Sequence, residues 1–140
     1  MLTLVPDLPL TGGCLCGGVR YEIAEPLVSA NYCHCTRCQR RTGTAASAQG
    51  RIVPRSLRIL QGEELVQEWK PEDGFGKCFC TACGGALWSC NPDGEIASVR
   101  LGTFDSDPGV RPSYRIYTAY AVPWELIPKD GTTRYPEAAS

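Results

Sequence analysis

Short apolar runs, separated by glycines and prolines, make up most of the chain. Polar and apolar residues alternate in several of them, as in Arg20, Tyr21, Glu22 and Ile23, and this alternation is typical of a strand with one buried face. The prolines fall between the runs, where they remove no ladder hydrogen bond. The candidate strands cover residues 19–23, 28–32, 44–48, 57–60, 65–69, 77–80, 86–89, 96–102 and 115–120. The pattern therefore predicts a mainly β protein of short, mostly antiparallel strands.

Helical patterning is nearly absent. No segment keeps a 3.6-residue apolar period, and the best candidate is one or two turns at residues 36–41. No internal repeat or linker divides the 140 residues, a length that fits one domain. We expect a single domain over residues 1–140, with its core at about 10–125 and a disordered tail at 136–140.

Composition and charge exclude several classes of function. The chain is 43% hydrophobic and 21% charged, with a net charge of −1, which gives no electrostatic reason to expect nucleic acid or an anionic membrane as a partner. Residues 1–9 lack the basic and apolar regions of a signal peptide. No apolar stretch approaches the ~18 residues that a membrane span requires. We therefore expect a cytoplasmic protein.

The nine cysteines change this picture, because an odd number cannot all pair within one chain. In a reducing compartment, dense cysteines indicate metal binding more often than disulfides. Closely spaced thiolates suit a metal, since each lies about 2.3 Å from zinc and the sulfurs must converge. Glycines after two of the groups permit the tight turns that such loops need. Seven of the cysteines form three groups, Cys14 with Cys16, Cys33 with Cys35 and Cys38, and Cys80 with Cys83.

The number of ligands predicts two different zinc sites. A structural zinc site is closed by four protein ligands, whereas a catalytic zinc has three and keeps one open position. The first and third groups together supply four cysteines. Cys33, Cys35 and Cys38 supply three within six residues. We therefore expect two Zn²⁺ per chain, a structural ion at Cys14, Cys16, Cys80 and Cys83 and a catalytic ion at Cys33, Cys35 and Cys38.

Other interpretations of the cysteines stay open at this point. A disulfide within Cys-x-Cys closes a small, strained ring, and a redox Cys-x-x-Cys pair usually opens a helix in a βαβ unit, which the pattern lacks. Iron–sulfur ligation uses the same thiolates. His34 is expected to point away from its cysteine neighbours, because adjacent side chains of an extended segment face opposite ways. Cys78 competes with Cys80 as a ligand, but the simpler interpretation makes Cys78 and Cys90 small buried apolar residues.

Three thiolates around an open zinc favour one kind of chemistry. The ion deprotonates an incoming thiol and presents its sulfur to an electrophile, so that a carbon–sulfur bond to a small carbonyl compound forms or breaks. An activated water is the other option. Arg37, Arg40 and Arg41 follow the cysteines and either grip a substrate carboxylate or are solvated surface charges.

The motifs also resemble a known family, the glutathione-dependent formaldehyde-activating enzymes, also called S-(hydroxymethyl)glutathione synthase-like. The similarity covers roughly residues 10–125 and rests on Gly-Gly-Cys-Leu-Cys-Gly-Gly-Val-Arg-Tyr at 12–21, Cys-His-Cys-Thr-Arg-Cys-Gln-Arg-Arg-Thr-Gly at 33–43, Phe-Cys-Thr-Ala-Cys-Gly-Gly-Ala-Leu at 79–87 and Pro-Trp at 123–124. The resemblance implies an Mss4-like β-tent of several short antiparallel sheets, the two-zinc partition given above, and the condensation of formaldehyde with glutathione by a carbon–sulfur lyase. Lys77 departs from the family pattern, where arginine is expected, and Arg115-Ile116-Tyr117 stands where relatives often carry histidine and phenylalanine.

Two functions follow as hypotheses. The first is a zinc-dependent carbon–sulfur lyase that joins or cleaves a glutathione-like thiol and a small aldehyde, with Arg37 or Arg40 orienting the substrate and Trp124 and Tyr117 lining its pocket. The second is a non-catalytic zinc module that binds a small thiol or a protein partner, which is favoured by the absence of a convincing general base. A nucleic-acid zinc finger lacks the required spacing and basic charge.

Overall fold

The computed structural model describes residues 6–139, in which two β-sheets carry most of the chain. These residues form eleven strands, one α-helix and three short 3₁₀ turns. The strands are β1 Leu10–Gly13, β2 Arg20–Ile23, β3 Ser29–Cys33, β4 Ser47–Arg51, β5 Leu57–Gln61, β6 Val66–Trp69, β7 Gly76–Cys80, β8 Ala86–Cys90, β9 Ile96–Arg100, β10 Tyr114–Ile116 and β11 Thr133–Arg134. The helix α1 spans Thr36–Thr42, and the 3₁₀ turns span Glu63–Leu65, Leu101–Thr103 and Thr118–Tyr120.

The two sheets differ in size and in strand direction. The smaller has three antiparallel strands in the order β1-β2-β5, and the larger has eight in the order β11-β10-β3-β4-β9-β8-β7-β6. Every pair in the larger sheet is antiparallel except those of β10, which runs parallel to β3 and to β11. The long connection between β3 and β10 permits this parallel pairing.

The main core is built from alternating strand residues. Tyr21 and Ile23 of β2 are fully buried, as the alternation in this strand predicts. Trp88 of β8 and Val99 of β9 belong to the same cluster of buried apolar side chains. The Tyr21 and Trp88 rings meet edge to face, with centroids 5.9 Å apart. The small sheet is therefore attached to the large one through aromatic packing.

The predicted mainly β fold with little helix is confirmed and is consistent with an Mss4-like β fold. The described residues form two sheets rather than several, and β4 begins three residues later than predicted. The reason for the shift is a turn after α1, where the Thr44 hydroxyl donates to the carbonyl oxygen of Ala46. The predicted strands 96–102 and 115–120 end early, because each continues into a 3₁₀ turn.

Two strands were not predicted, and β1 shows why. Its sequence is Leu-Thr-Gly-Gly, and glycine has low strand propensity. A Cβ atom at Gly12 would collide with the Tyr21 side chain and the Thr103 carbonyl oxygen. The glycine is therefore required by close packing that only the tertiary structure creates.

The chain near the C-terminus, where a disordered tail was expected, makes backbone hydrogen bonds. The Tyr117 amide donates to the carbonyl oxygen of Glu137, and the Ala119 amide donates to that of Pro136. Ser140 lies outside the described residues. Among residues 6–139, no helix is both long and apolar enough to span a membrane.

Gly62 provides a test of how the four-cysteine region is packed. Its φ is +79°, and a Cβ there would collide with the backbone of Gly18, next to the first cysteine group. We expect Gly62→Ala to cost roughly 3 kcal/mol or more in unfolding free energy, because the left-handed conformation alone costs about 1–2 kcal/mol and the Gly18 backbone must also move. Urea unfolding of the metal-loaded protein measures the change.

Gly94→Ala is the matched control. Its φ is +94°, but nothing lies within 4 Å of the added Cβ, so only the conformational cost of about 1–2 kcal/mol applies. Equal losses for the two variants would contradict the packing role assigned to Gly62.

Candidate functional site

Four cysteines from two hairpins that are distant in sequence converge in the folded chain. Cys14 and Cys16 lie in the turn between β1 and β2, and Cys80 and Cys83 lie at the end of β7 and in the turn before β8. Their sulfurs all lie within 4.8 Å of one another. The Sγ atoms of Cys14 and Cys16 are 3.6 Å apart, and those of Cys16 and Cys80 are 3.9 Å apart. We call these four residues the anchor cluster.

The spacing of the anchor cluster matches a tetrahedral ion. Bonds of about 2.3 Å from zinc to sulfur set neighbouring sulfurs about 3.8 Å apart. Backbone amides also face the sulfurs, since the Val19 amide donates to Cys14 Sγ over 3.2 Å and the Gly18 amide to Cys16 Sγ over 3.4 Å. Such hydrogen bonds favour thiolates over thiols. Gly17 and Gly84 have positive φ, which confirms the predicted role of glycine in these turns.

The second group, here called the three-cysteine cluster, is formed by a strand end and a helix start. Cys33 ends β3, Cys35 caps the N-terminus of α1, and Cys38 lies in its first turn. The Cys38 amide donates to Cys35 Sγ over 3.4 Å, so the sequence Cys-x-x-Cys forms the cap itself. Cys33 and Cys38 are buried, and Cys35 is partly exposed. The three sulfurs lie within 4.8 Å of one another, a donor set that can hold a metal ion.

His34 is turned away from the three-cysteine cluster. Its ring is buried, and its Nε2 lies 3.2 Å from Arg115 Nη1. Arg115 stacks on the Tyr32 ring and forms an ion pair with Asp130 at 2.9 Å. Burial, and next the adjacent Arg115 charge, lower the pKa of His34, so the imidazole stays neutral. The only histidine of the chain therefore packs against Arg115 and has no role as a general base facing the cysteines.

The three cysteines lie in the wall of a cavity of about 550 Å³, here called the thiol cavity. Its other walls come from β4, β7, β8 and the segment after β10. Polar and aromatic side chains are mixed there, which is usual for a small-molecule site. The lining includes Gln49, Phe75, Lys77, Ser89, Tyr117 and Tyr120. Tyr117 has a φ of +56°, an uncommon backbone conformation for a tyrosine that is often found at functional sites.

One buried and two half-buried cations, Arg100, Arg41 and Lys77, lie near the three-cysteine cluster. Arg100 is 6% exposed and donates to Ser89 Oγ and Gln49 Oε1, and the Lys77 Nζ lies 3.4 Å from the same Ser89 hydroxyl. Arg41 Nη2 lies 3.8 Å from Cys38 Sγ. Within the described residues, the Nε atoms of Arg41 and Arg100 and the Nη1 of Arg41 are buried without a partner. Buried cations need nearby negative charge, so this surrounding fits a cluster of three thiolates on a divalent ion, which has a net charge of −1.

The pKa shifts agree with this charge distribution. Hydrogen bonds from Cys33 and Cys35, together with Ser47 and the Arg41 charge, hold the pKa of Cys38 far below its usual range. Hydrogen bonds with Cys35 and Cys38, and next burial, raise the pKa of Cys33. Cys38 thus ionises before Cys33.

Burial acts in the opposite direction on the cations. It lowers the pKa of Lys77 and that of Arg100, the latter to about 10. The Cys38 thiolate partly opposes both shifts. Lys77 is consequently a better proton donor than a solvent-exposed lysine.

A second cavity of about 560 Å³ adjoins the first and is here called the arginine cavity. It is lined by Arg37, Arg40, Arg41, Trp69, Lys77 and Phe79, among others. Arg37 and Lys77 line both cavities. Arg37 is already engaged, since it forms an ion pair with Asp73 at 2.7 Å and lies over the Trp69 ring. Arg40 is exposed and has no hydrogen-bond or ion-pair partner among the residues that the structure describes.

Two residues of the thiol cavity, Gln49 and Ser89, and the buried Arg100 that bonds to both carried no signal in the sequence. Gln49, Ser89 and Arg100 come from three separate strands and meet only in the folded sheet. Lys77 was noted in the sequence only as a departure from the family pattern. Its position between two buried residues of β7 indicates that its side chain faces the other side of the sheet. Trp124, expected to line the pocket, is 66% exposed and is not part of the thiol cavity.

Comparison with known proteins identifies the family. The family described as glutathione-dependent formaldehyde-activating enzyme matches residues 9–120. A Halomonas elongata protein, provisionally named as such an enzyme, is 29% identical over 115 residues, which cover 77% of this chain and 73% of that protein. A crystal structure of a Rhodobacter sphaeroides protein has a similar fold, with a TM-score of 0.54 at 23% identity, covering 89% of this chain and 98% of that one. Since the match spans most of its 140 residues, the chain belongs to the glutathione-dependent formaldehyde-activating enzyme family.

Proposed function

We propose that this protein is a zinc-dependent enzyme of the carbon–sulfur lyase type, which joins or cleaves a glutathione-like thiol and a small aldehyde such as formaldehyde. The observation that carries the proposal is the convergence of three cysteine sulfurs in the wall of a 550 Å³ cavity, near which the guanidinium nitrogens of Arg41 and Arg100 are buried without a partner. The family to which the chain belongs supports the same substrates.

In this proposal the two cysteine clusters have different tasks. Four ligands from the anchor cluster would hold a closed, structural zinc, whereas Cys33, Cys35 and Cys38 would hold a second zinc with one free position. When bound there, zinc would lower the pKa of an incoming thiol and fix the position of its sulfur.

The residues of the thiol cavity provide the remaining steps. The substrate thiolate attacks the aldehyde carbon, the carbon–sulfur bond forms, and the carbonyl electron pair moves to oxygen. Lys77 stabilises this developing alkoxide by a charge-assisted hydrogen bond and transfers a proton to it. The proton that leaves the thiol replaces the one that Lys77 has given, so thiol and aldehyde combine without any further reactant. Tyr117 borders the same cavity.

The arginine cavity binds the distant, anionic part of the thiol substrate. Arg40 and Arg41 line this cavity, and Arg40 is free to pair with a carboxylate. Arg37, predicted from the sequence to bind substrate, secures α1 to the loop before β7 through Asp73 and lines both cavities. This arrangement favours a thiol that carries carboxylates, as glutathione does.

The orientation of His34 favours a second candidate, a module that binds a thiol without turning it over. No imidazole or carboxylate is among the described residues that line the thiol cavity. Such a module would show thiol binding by calorimetry and no acceleration of adduct exchange by NMR. The two candidates therefore differ in a single pair of measurements.

Cys35→Ser tests the three-cysteine cluster. Exchange NMR of a glutathione and formaldehyde mixture should show faster exchange between free and adduct forms with the wild-type protein. The variant should lose that acceleration and one equivalent of zinc, because its cluster retains two thiolates. Metal content is measured by mass spectrometry on the same samples.

Arg55→Met is the control for this experiment, since Arg55 forms an exposed pair with Glu95 outside both cavities. It should keep both the zinc content and the exchange rate. Acceleration that persists in Cys35→Ser, or its absence in the wild-type protein with several thiols, would count against the proposed chemistry.

Arg40→Met tests the carboxylate-binding role of the arginine cavity. We expect the KM for glutathione to rise about tenfold with little change in kcat, because one charge-assisted hydrogen bond to the substrate is lost. The KM for the uncharged thiol 2-mercaptoethanol should stay the same, since this thiol has no carboxylate to bind. An equal effect on both thiols would contradict the assignment.

A further inference from the structure

We propose that Glu68, Cys78 and Cys90 form a third metal site, specific for a soft divalent ion such as Zn²⁺ or Cd²⁺. These three residues, the edge cluster, are distinct from the anchor cluster and the three-cysteine cluster, although Cys78 also lines the arginine cavity. The inference is independent of the thiol chemistry, because its three ligands belong to neither of the other two clusters.

The two sulfurs have the separation that a shared ion requires. Cys78 Sγ and Cys90 Sγ lie 3.8 Å apart, compared with 3.6 and 3.9 Å within the anchor cluster. A carboxylate oxygen of Glu68 lies within 4.8 Å of both sulfurs. Two thiolates and a carboxylate are a donor set that zinc accepts, and a tetrahedral ion would keep one position for water.

Strand register explains how the three ligands meet. Glu68 of β6 is paired with Cys78 of β7, and Cys90 of β8 is paired with Gly76 of β7. The Glu68 side chain runs along β7 and lies over Gly76, where an added Cβ would collide with its carboxylate. The absence of a side chain at position 76 therefore gives Glu68 access to the two thiols.

The surroundings distinguish this cluster from ordinary apolar packing. Cys78 and Cys90 are 7% and 5% exposed and belong to the main core cluster. A carboxylate beside two core thiols contributes nothing to apolar packing. Glu68 also forms no ion pair with the residues that the structure describes. A divalent ion, on displacing the two thiol protons, would supply the positive charge that this group of ligands lacks.

The position of the edge cluster indicates what the ion would do. The anchor cluster holds the turn end of the β7–β8 hairpin through Cys80 and Cys83, and the edge cluster lies at its open end, where β6 is the last strand of the sheet. An ion there would connect β6, β7 and β8. It would thereby stabilise the strands whose other face carries Lys77 and Ser89 of the thiol cavity.

The test is a titration with ¹¹³Cd²⁺ of reduced protein that carries two equivalents of zinc, enough for the anchor and three-cysteine clusters only, followed by NMR and by metal analysis. The wild-type protein should take up one equivalent of Cd²⁺ without releasing zinc, give the signal of a two-sulfur site and show a higher melting temperature. Cys90→Ala should abolish the uptake, and Glu68→Gln should weaken the affinity at least tenfold, because each removes a ligand. Gly76→Ala should also weaken it, by displacing the Glu68 carboxylate without removing any ligand.

Two controls keep the result interpretable. Glu64→Gln changes a nearby exposed carboxylate outside the cluster and should leave uptake unchanged. Cys35→Ser should still take up the added equivalent, which separates this proposal from the failure of the proposed function. Glu68 lies on the exposed edge strand, so Glu68→Gln remains informative if Cys90→Ala does not fold. Zinc displacement with no added equivalent, or equal affinity in the wild-type and Glu68→Gln proteins, overturns the proposal.

Discussion

The convergence of Cys14 and Cys16 with Cys80 and Cys83 is the interaction on which the rest of the structure depends. It joins a turn of the three-stranded sheet to a hairpin of the eight-stranded sheet, and these two segments are more than sixty residues apart in the chain. The packing of Tyr21 on Trp88 provides the apolar side of the same junction. With the hairpin fixed at its turn, β7 and β8 hold their register, and Lys77 and Ser89 reach the thiol cavity.

The two faces of β7 separate the structural from the chemical side of the protein. Gly76, Cys78 and Cys80 are buried toward the core, whereas Lys77 and Phe79 face the other way. Because side chains alternate along a strand, one five-residue segment contributes to the anchor cluster, the edge cluster and both cavities. A shift of one residue in its register would exchange these roles, which makes fixation of the hairpin a condition for the site.

Electrostatics couples the three-cysteine cluster to its surroundings. Arg41, Lys77 and Arg100 are held close to sulfurs that are costly to ionise in a buried setting, and the cations are themselves costly to bury. When the cations and the thiolates are both present, their mutual attraction offsets part of the cost of removing each from water. The unpaired guanidinium nitrogens are therefore understandable as one half of a charge balance whose other half is the set of cysteine thiolates, a donor set that can hold a metal ion.

The sequence by itself determined the mainly β class, the short helix after Cys35 and the grouping of seven cysteines, because period-2 alternation and close cysteine spacing are local properties of the chain. It also indicated that Cys14 and Cys16 belong with Cys80 and Cys83, by a count of ligands. Only the tertiary structure decided that Arg37 binds Asp73, that His34 faces Arg115, and that Gln49, Ser89 and Arg100 meet. The same is true of Glu68, Cys78 and Cys90, since strand register and a missing side chain at Gly76 bring them together. These contacts join residues far apart in the chain, and no local pattern encodes which strands become neighbours.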